Sequence, residues 1–147
     1  MATIRLPPDF KEFLRLLNLE NAEYLLIGGY AVIYHGYPRT TGDIDIWIAL
    51  NRENAEKVAT VLRDFGFDVP DADIFLEEDR IIRLGMPPFR IEVLTTISGV
   101  SFESCYEQRV LDVIDDVEVN IIDLEHLKEN KKASGRAKDM NDLENLP

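Results

Sequence analysis

The chain has little of several residue types that other proteins use for chemistry. Cys105 is its one cysteine among 147 residues, so no disulfide can form within it. This cysteine usage favours a reducing compartment such as the cytoplasm. The two histidines, His35 and His126, are too isolated in the sequence to indicate a zinc site or a general base.

Long apolar runs are also missing. No segment approaches the roughly 20 apolar residues that cross a bilayer, and the N-terminal MATIRLPPDF lacks the apolar stretch of a signal peptide. We therefore expect no membrane partner and a cytoplasmic location. The length and an apolar fraction of 46% predict one domain, residues 1–147, with a core of its own.

Basic residues are in short supply. The chain has 16 Lys and Arg against 28 Asp and Glu, which gives a formal net charge of −12. A protein this acidic gains nothing from counterion release on DNA or RNA, so long nucleic acid is not expected as its main partner. A small anionic ligand held with divalent cations remains compatible, because the metal ions reverse the sign of the local charge.

The spacing of apolar residues predicts helices and strands without a regular alternation. Helices are expected over 8–19, 29–35, 99–108 and 123–133, in a segment capped by Asn51 and closed by Gly66, and in a last stretch to about Leu146. Strands are expected over 23–27, 43–49, 80–85 and 89–94, with a hairpin over 109–122. The pattern predicts an α+β (mixed α/β) domain built on one mixed sheet.

A glycine pair, Gly28-Gly29, follows the buried strand 23–27 and opens a short helix. Glycine lets the backbone turn sharply and approach a ligand closely. The free N–H groups and positive end of a helix dipole suit phosphate oxygens. A tight strand-to-helix turn that holds no ligand is the alternative for the pair alone.

Three acidic residues lie on strands with one buried face. Asp43 and Asp45 are two residues apart and therefore share a face of the 43–49 strand. Glu92 lies on the 89–94 strand between inward-facing Ile91 and Val93. If the two strands are neighbours, three carboxylates can hold two Mg²⁺ ions roughly 3.5–4 Å apart. The alternatives are a solvated face and, for Glu92, an ion pair with Arg83 or Arg90.

Basic residues are concentrated near the C-terminus, at Lys128, Lys131, Lys132, Arg136 and Lys138. In an acidic chain this asymmetry indicates an anion site, where Lys131 and Lys138 (or Arg136) approach a triphosphate. Compensation of the helix dipole and a solvated face are the alternative. Arg39 and Thr40 precede the aspartate strand, where they can reach phosphate or position Asp43. Arg39 can instead pair with a surface carboxylate.

The segment GGY…GYPRTTGDIDI resembles the nucleotidyltransferases of the DNA polymerase β superfamily. It is most similar to the minimal nucleotidyltransferases related to the AbiEii-type toxin group, whose pattern is a glycine pair, a D-x-D and a later acidic residue. The likeness is close over residues 24–49 and looser over 89–95. The segment KKASGRAKD, residues 131–139, is similar to the K-x-A-x-G-R-x-K-D tail of bacterial relatives.

This resemblance implies a polymerase-β-like fold, a small mixed sheet flanked by helices. It makes Asp43 and Asp45 ligands of Mg²⁺ or Mn²⁺. Glu92 becomes the third carboxylate, which coordinates the catalytic metal and assists deprotonation of the acceptor hydroxyl. Gly28 and Gly29 cradle the triphosphate.

Two residues depart from the family pattern. Tyr30 stands where many active members carry Ser or Thr with a hydroxyl on the phosphate, so only its backbone is assured as a nucleotide contact. Glu92 stands where Asp is frequent, and its side chain is one methylene longer. Both departures bear on the strength of catalysis and leave the expected fold unchanged.

The predicted activity is transfer of a nucleoside monophosphate from a triphosphate such as ATP to a hydroxyl, with release of pyrophosphate. The acceptor lies on a protein, an RNA or a small molecule. The alternative is a nucleotide-binding, antitoxin-like module of a toxin–antitoxin pair with weak or no turnover, to which a partner protein contributes. A domain without any ligand is the third reading.

Overall fold

The computed structural model describes residues 3–147, and every predicted helix and strand is present with ends within a few residues of those expected. The helices are α1 (Pro8–Leu19), α2 (Gly28–Tyr34), α3 (Arg52–Asp64), α4 (Phe102–Glu107), α5 (Leu124–Ser134) and α6 (Ala137–Asn145). The strands are β1 (Tyr24–Ile27), β2 (Ile44–Ile48), β3 (Ile81–Leu84), β4 (Ile91–Leu94), β5 (Val110–Ile114) and β6 (Val117–Ile121). A 3-10 helix, Ala72–Leu76, lies within the acidic segment that has no clear pattern.

The strands form one mixed sheet in the order β3-β4-β2-β1-β6-β5. β1 runs antiparallel to β2 and parallel to β6, while β2 runs parallel to β4. The strand of the two aspartates therefore neighbours the strand of Glu92, which is the arrangement that a shared site for the three carboxylates requires. The β2–β4 register places Asp45 directly opposite Glu92. The mixed sheet confirms the predicted fold class.

Alternation along the central strands decides which face of the sheet is covered. Ile44, Ile46 and Ile48 are fully buried on one face of β2, as their two-residue spacing predicts. α1 buries Phe10, Phe13, Leu14 and Leu17 along its i, i+3, i+4, i+7 stripe. The opposite face of β2 carries Asp43, Asp45 and Trp47. Trp47 is covered by Phe102 of α4, with ring centroids 5.1 Å apart, so the aspartates lie beside packed structure.

Local signals fix several element ends. The Asn51 side chain accepts a hydrogen bond from the Asn54 backbone N–H at 2.8 Å and caps α3, as predicted. Gly135 ends α5 in the left-handed region, at φ 63°, which glycine adopts readily. No helix among residues 3–147 combines the length and apolarity needed to cross a membrane.

Asn54 also joins α3 to the sheet from a position that is only 3% exposed. Its Oδ1 accepts from the Glu23 N–H at 2.7 Å, and its Nδ2 donates to the Glu23 and Ala49 carbonyls, each at 3.0 Å. Truncation would leave these buried backbone groups without partners, which costs more than the hydrogen bonds themselves contribute.

We therefore predict that Asn54→Ala lowers the free energy of unfolding by about 2–4 kcal/mol, measured by urea denaturation. Glu56→Ala, at an exposed position of the same helix, is the matched control and should change it by less than about 0.5 kcal/mol. Equal effects of the two substitutions would show that the Asn54 side chain does not link α3 to the sheet.

Candidate active site

An open cavity of about 670 Å³ lies over the edge of the sheet where β1, β2 and β4 meet α5 and α6. It is lined by ten of the eleven residues that the sequence proposes for the site: Gly28, Gly29, Arg39, Thr40, Asp43, Asp45, Glu92, Lys131, Arg136 and Lys138. A smaller cavity of about 230 Å³ beside the β5–β6 hairpin contains none of them. The predicted constellation is therefore assembled in space.

Asp45 is a partly buried carboxyl group whose pKa is strongly raised. Burial raises its pKa, the Glu92 carboxyl that shares a hydrogen bond with it raises it further, and so does the charge of Asp43, to about 7. A proton on Asp45 is one way to relieve the repulsion between these carboxylates, and its raised pKa keeps that proton bound to a higher pH than usual. A bound cation is the other way to relieve this repulsion.

Asp43 and Glu92 each contact an arginine. Arg90 Nη2 lies 3.2 Å from Asp43 Oδ2, and Arg83 Nε lies 3.1 Å from Glu92 Oε1. The pairing with Arg83 was the alternative that the sequence left open for Glu92. In this arrangement, no set of three His, Cys, Asp or Glu side chains among residues 3–147 converges to hold a metal ion. The metal site therefore stays a prediction.

The donor chemistry of the three carboxylates nevertheless fits a hard divalent cation. Mg²⁺ and Mn²⁺ take oxygen ligands, and it is usual for Mg²⁺ to be bound through one or two carboxylates together with substrate phosphates. Asp43, Asp45 and Glu92 line one cavity, where burial and the neighbouring carboxyl groups raise the pKa of Asp45. For Asp43 and Glu92 to act as ligands, the arginine side chains must turn away.

Close contacts at the start of α2 require glycine at both positions 28 and 29, in addition to the sharp turn of the backbone. Gly28 has φ +69°, and a Cβ placed there would lie 2.0 Å from Asp45 Oδ2. A Cβ on Gly29 would lie 2.5 Å from Thr41 Oγ1. Both residues must lack a side chain because those of Asp45 and Thr41 pack against the start of α2. The glycines and the aspartate strand therefore form one unit, which explains why they occur together.

Thr41 is a site residue that the sequence reasoning missed. Its hydroxyl lies against Gly29 and donates to the Asp43 carbonyl at 3.3 Å. Thr41 stands two residues before Asp43 in the motif, but the sequence alone assigns no role to a threonine at that position. The Thr41 hydroxyl lies beside the start of α2, whereas the side chain of Tyr30 packs in the core.

The side chain of Tyr30 does not line the cavity, and the sequence had assured only its backbone as a nucleotide contact. It is 6% exposed, and its ring packs edge-on against Phe10 with centroids 5.9 Å apart. The position is the third of α2, so the aromatic ring faces the helix α1 rather than a ligand. Only the backbone of Tyr30 remains for such a role, as the sequence had assured.

Lys131 is buried, and its ammonium group is already paired. Nζ lies 3.2 Å from Asp139 Oδ1 and 3.1 Å from Asp142 Oδ2, both on α6. Arg39 binds Asp142 through Nε at 2.8 Å and Nη2 at 3.1 Å. Arg136 Nε binds Asp139 at 2.8 Å. Lys131 and Arg39 therefore hold the wall of the cavity through these ion pairs. Pairing with a carboxylate was the alternative left open for Arg39, and a role of Lys131 at a triphosphate stays a prediction.

The electrostatics of this network agree with its geometry. Burial alone would raise the pKa of Asp139, but hydrogen bonds from Arg136, Ser134 and Lys131 hold it well below its usual range. Asp139 and Asp142 are three residues apart on α6, and both are buried. The sequence reasoning did not identify them, although two aspartates at this spacing after a lysine cluster are a signal for paired, buried charges.

Lys138 is the residue of the basic cluster that best keeps its predicted role. It is exposed and lines the cavity, and within residues 3–147 no carboxylate lies in ion-pair distance of it. Its charge acts to lower the pKa of Asp45. Thr40 and Arg136 are exposed on the same cavity. Lys128 and Lys132 do not line it.

Comparisons with known proteins rest on structure, because no protein-family model matches the chain and no curated protein matches it significantly. TM1012 of Thermotoga maritima, a candidate nucleotidyltransferase, is similar with a TM-score of 0.64 and 14% identity over 92% of this chain and 88% of its own. The lincosamide antibiotic adenylyltransferase LnuA, solved with lincomycin bound, is similar with a TM-score of 0.62 and 17% identity over 96% of each chain.

These likenesses extend over nearly the whole length of all three chains. At such low identity they establish the fold and leave the activity to be argued from the site. The chain has the polymerase-β-like nucleotidyltransferase fold.

Proposed function

We propose that this protein is a nucleotidyltransferase that moves a nucleoside monophosphate from a triphosphate to a hydroxyl and releases pyrophosphate. The observation that carries the proposal is the Asp45–Glu92 carboxyl pair beside Asp43, which lines a cavity in this fold. A partly buried pair of carboxyls costs stability unless a cation or a proton compensates it, so its presence in a cavity indicates a functional site.

Asp43, Asp45 and Glu92 would hold Mg²⁺ or Mn²⁺. When bound, the metal would neutralise the charge that develops on the phosphoryl oxygens. Glu92, 16% exposed and facing the cavity, accepts the proton of the acceptor hydroxyl. Gly28 and Gly29 keep the start of α2 free of side chains, which gives Asp45 its place.

The triphosphate is assigned to the cationic wall opposite the carboxylates. Lys138 supplies an unpaired ammonium group, and Arg136 and Thr40 add exposed donors on the same cavity. Lys131 and Arg39 contribute indirectly, because their ion pairs with α6 fix the positions of these groups. Positioning and charge compensation supply nearly all of the catalysis in phosphoryl transfer, and the cavity provides both.

The acceptor is proposed to be a hydroxyl of a small molecule, a protein or a short RNA. LnuA, of the same fold, is described as acting on a lincosamide antibiotic, a small molecule. The net charge of −12 disfavours a long polyanion as acceptor.

A nucleotide-binding, antitoxin-like module with weak turnover is the second proposal. Tyr30, whose ring is in the core, removes the hydroxyl expected after the glycine pair, and arginines pair with two of the three carboxylates. Co-purification of a stoichiometric partner whose activity falls on binding would favour this reading. Measured transfer by the isolated protein would favour the first.

Transfer is tested by incubating the protein with α-labelled ATP, GTP, CTP and UTP, Mg²⁺ and a cell extract as the source of acceptors. Asp45→Asn and Glu92→Gln should each reduce labelled product by at least about a hundredfold, because each removes a metal ligand or the base. Asp64→Asn, an exposed carboxylate at the end of α3, is the control and should leave the rate unchanged. Equal rates in all variants would contradict the assignment of the site.

Stability in the absence of metal should depend on pH through Asp45. Its folded pKa of about 7 lies above the roughly 3.9 of an unfolded aspartate, so the folded state binds more protons between these values. The contribution of Asp45 is therefore present at low pH and lost as the pH rises through 7. Relative to the native chain, Asp45→Asn should gain stability at pH 8 compared with pH 5.

The measurement is urea unfolding of both proteins in EDTA at pH 5, 6, 7 and 8. The difference in the free energy of unfolding between the two proteins cancels the contributions of titrating groups that the substitution leaves unchanged. A difference that stays constant with pH, or that changes with the opposite sign, would show that the pKa of Asp45 is not raised in the folded protein.

A further inference from the structure

Two arginines contact the carboxylates that the proposed function assigns to the metal. Arg90 approaches Asp43 with two nitrogens, Nη2 to Oδ2 at 3.2 Å and Nε to Oδ1 at 3.4 Å. Arg83 Nε donates to Glu92 Oε1 at 3.1 Å. Both oxygens of Asp43 and one of Glu92 are therefore engaged by guanidinium groups.

The backbone places both arginines at these carboxylates. Arg83 stands directly opposite Glu92 in the β3–β4 register. The Arg90 carbonyl accepts from the Ile44 N–H at 3.0 Å, which fixes Arg90 next to the residue that follows Asp43. The Arg83–Glu92 pair joins β3 to β4, and the Arg90–Asp43 pair joins the residues directly before β4 and β2. The exposed pair Arg80–Glu77, in contrast, joins residues three apart in one loop outside the cavity.

The two contacts are also easily broken. The side chain of Arg90 is 35% exposed and that of Arg83 is 55% exposed, so either guanidinium can leave its carboxylate for water at low cost. Arg83 lines the cavity itself, where an anion can replace Glu92 as its partner. Planar guanidinium groups bind phosphate and carboxylate oxygens equally well.

We propose that Arg83 and Arg90 are internal counter-cations that compete with the divalent metal for Glu92 and Asp43, so that the metal binds well only together with the nucleotide. This inference rests on the proposed function. A divalent ion needs the lone pairs that the arginines occupy, and its charge repels theirs. A triphosphate supplies oxygens to the metal and negative charge to the displaced arginines, which makes the two ligands bind cooperatively.

The test titrates Mn²⁺ alone and follows free Mn²⁺ by electron paramagnetic resonance. Arg83→Gln and Arg90→Gln should each tighten Mn²⁺ binding by roughly two- to fivefold, as expected for removal of a partly exposed competing charge. The double variant should bind Mn²⁺ more tightly than either single variant. Arg80→Gln removes an arginine of similar exposure outside the cavity and should leave the affinity unchanged.

A second titration adds α,β-methylene ATP, which cannot be cleaved at the reacting bond. The analogue should raise the Mn²⁺ affinity of the native chain more than that of the double variant, because the variant has no arginines left to displace. Adding Asp45→Asn to the double variant locates the ion, and it should abolish the gain. Thermal unfolding without metal confirms that every variant is folded.

Affinities for Mn²⁺ that are unchanged or weaker in both arginine variants would overturn the inference, and so would a double variant that binds no Mn²⁺ at all. Failure of the proposed function has a different signature. In that case, neither the native chain nor the double variant binds the Mn²⁺–nucleotide complex. Native binding of that complex with no effect of the arginines would reject this inference alone.

Discussion

The pairing of Asp45 with Glu92 across β2 and β4 is the interaction on which the site depends. The parallel register places the two residues opposite each other, and partial burial makes their mutual repulsion costly. The surroundings are built to keep them there. Gly28 lacks the Cβ that would collide with the Asp45 carboxylate. A proton on Asp45, or a bound cation, relieves the repulsion between the two carboxyl groups.

A second set of charges gives the cavity its opposite wall. Lys131 bridges Asp139 and Asp142 inside the protein, and Arg39 joins this network from the loop before β2. Removal of one partner would leave an uncompensated buried charge, so the network fixes α5 and α6 relative to the sheet. It therefore sets the distance between the carboxylates and Lys138. The charges of Lys131 and Arg39 are paired with α6, whereas the charge of Lys138 faces the cavity.

Local periodicity predicted the mixed α/β class and the strand faces that carry the carboxylates, whereas the specific fold was implied by the resemblance of the motifs. Spacing by two residues places Asp43 and Asp45 on one face whatever the tertiary structure, and the buried Ile91 and Val93 fix the direction of Glu92. The roles of Lys131, Arg39 and Tyr30 could not be predicted in this way. Their partners come from distant segments, so a sequence gives their charge or size without showing what they contact. Thr41 was missed because its contacts with Gly29 and the Asp43 carbonyl become visible only in the folded structure.

The central claim is that Asp43, Asp45 and Glu92 bind metal together with a nucleotide. It is tested most directly by a crystal structure with Mn²⁺ and α,β-methylene ATP, in which anomalous scattering locates the ion. The account predicts Mn²⁺ bound to Asp45 and at least one of the other two carboxylates, with the triphosphate reaching towards Lys138. A nucleotide bound elsewhere, or Mn²⁺ absent from these carboxylates while the nucleotide is bound, would contradict it.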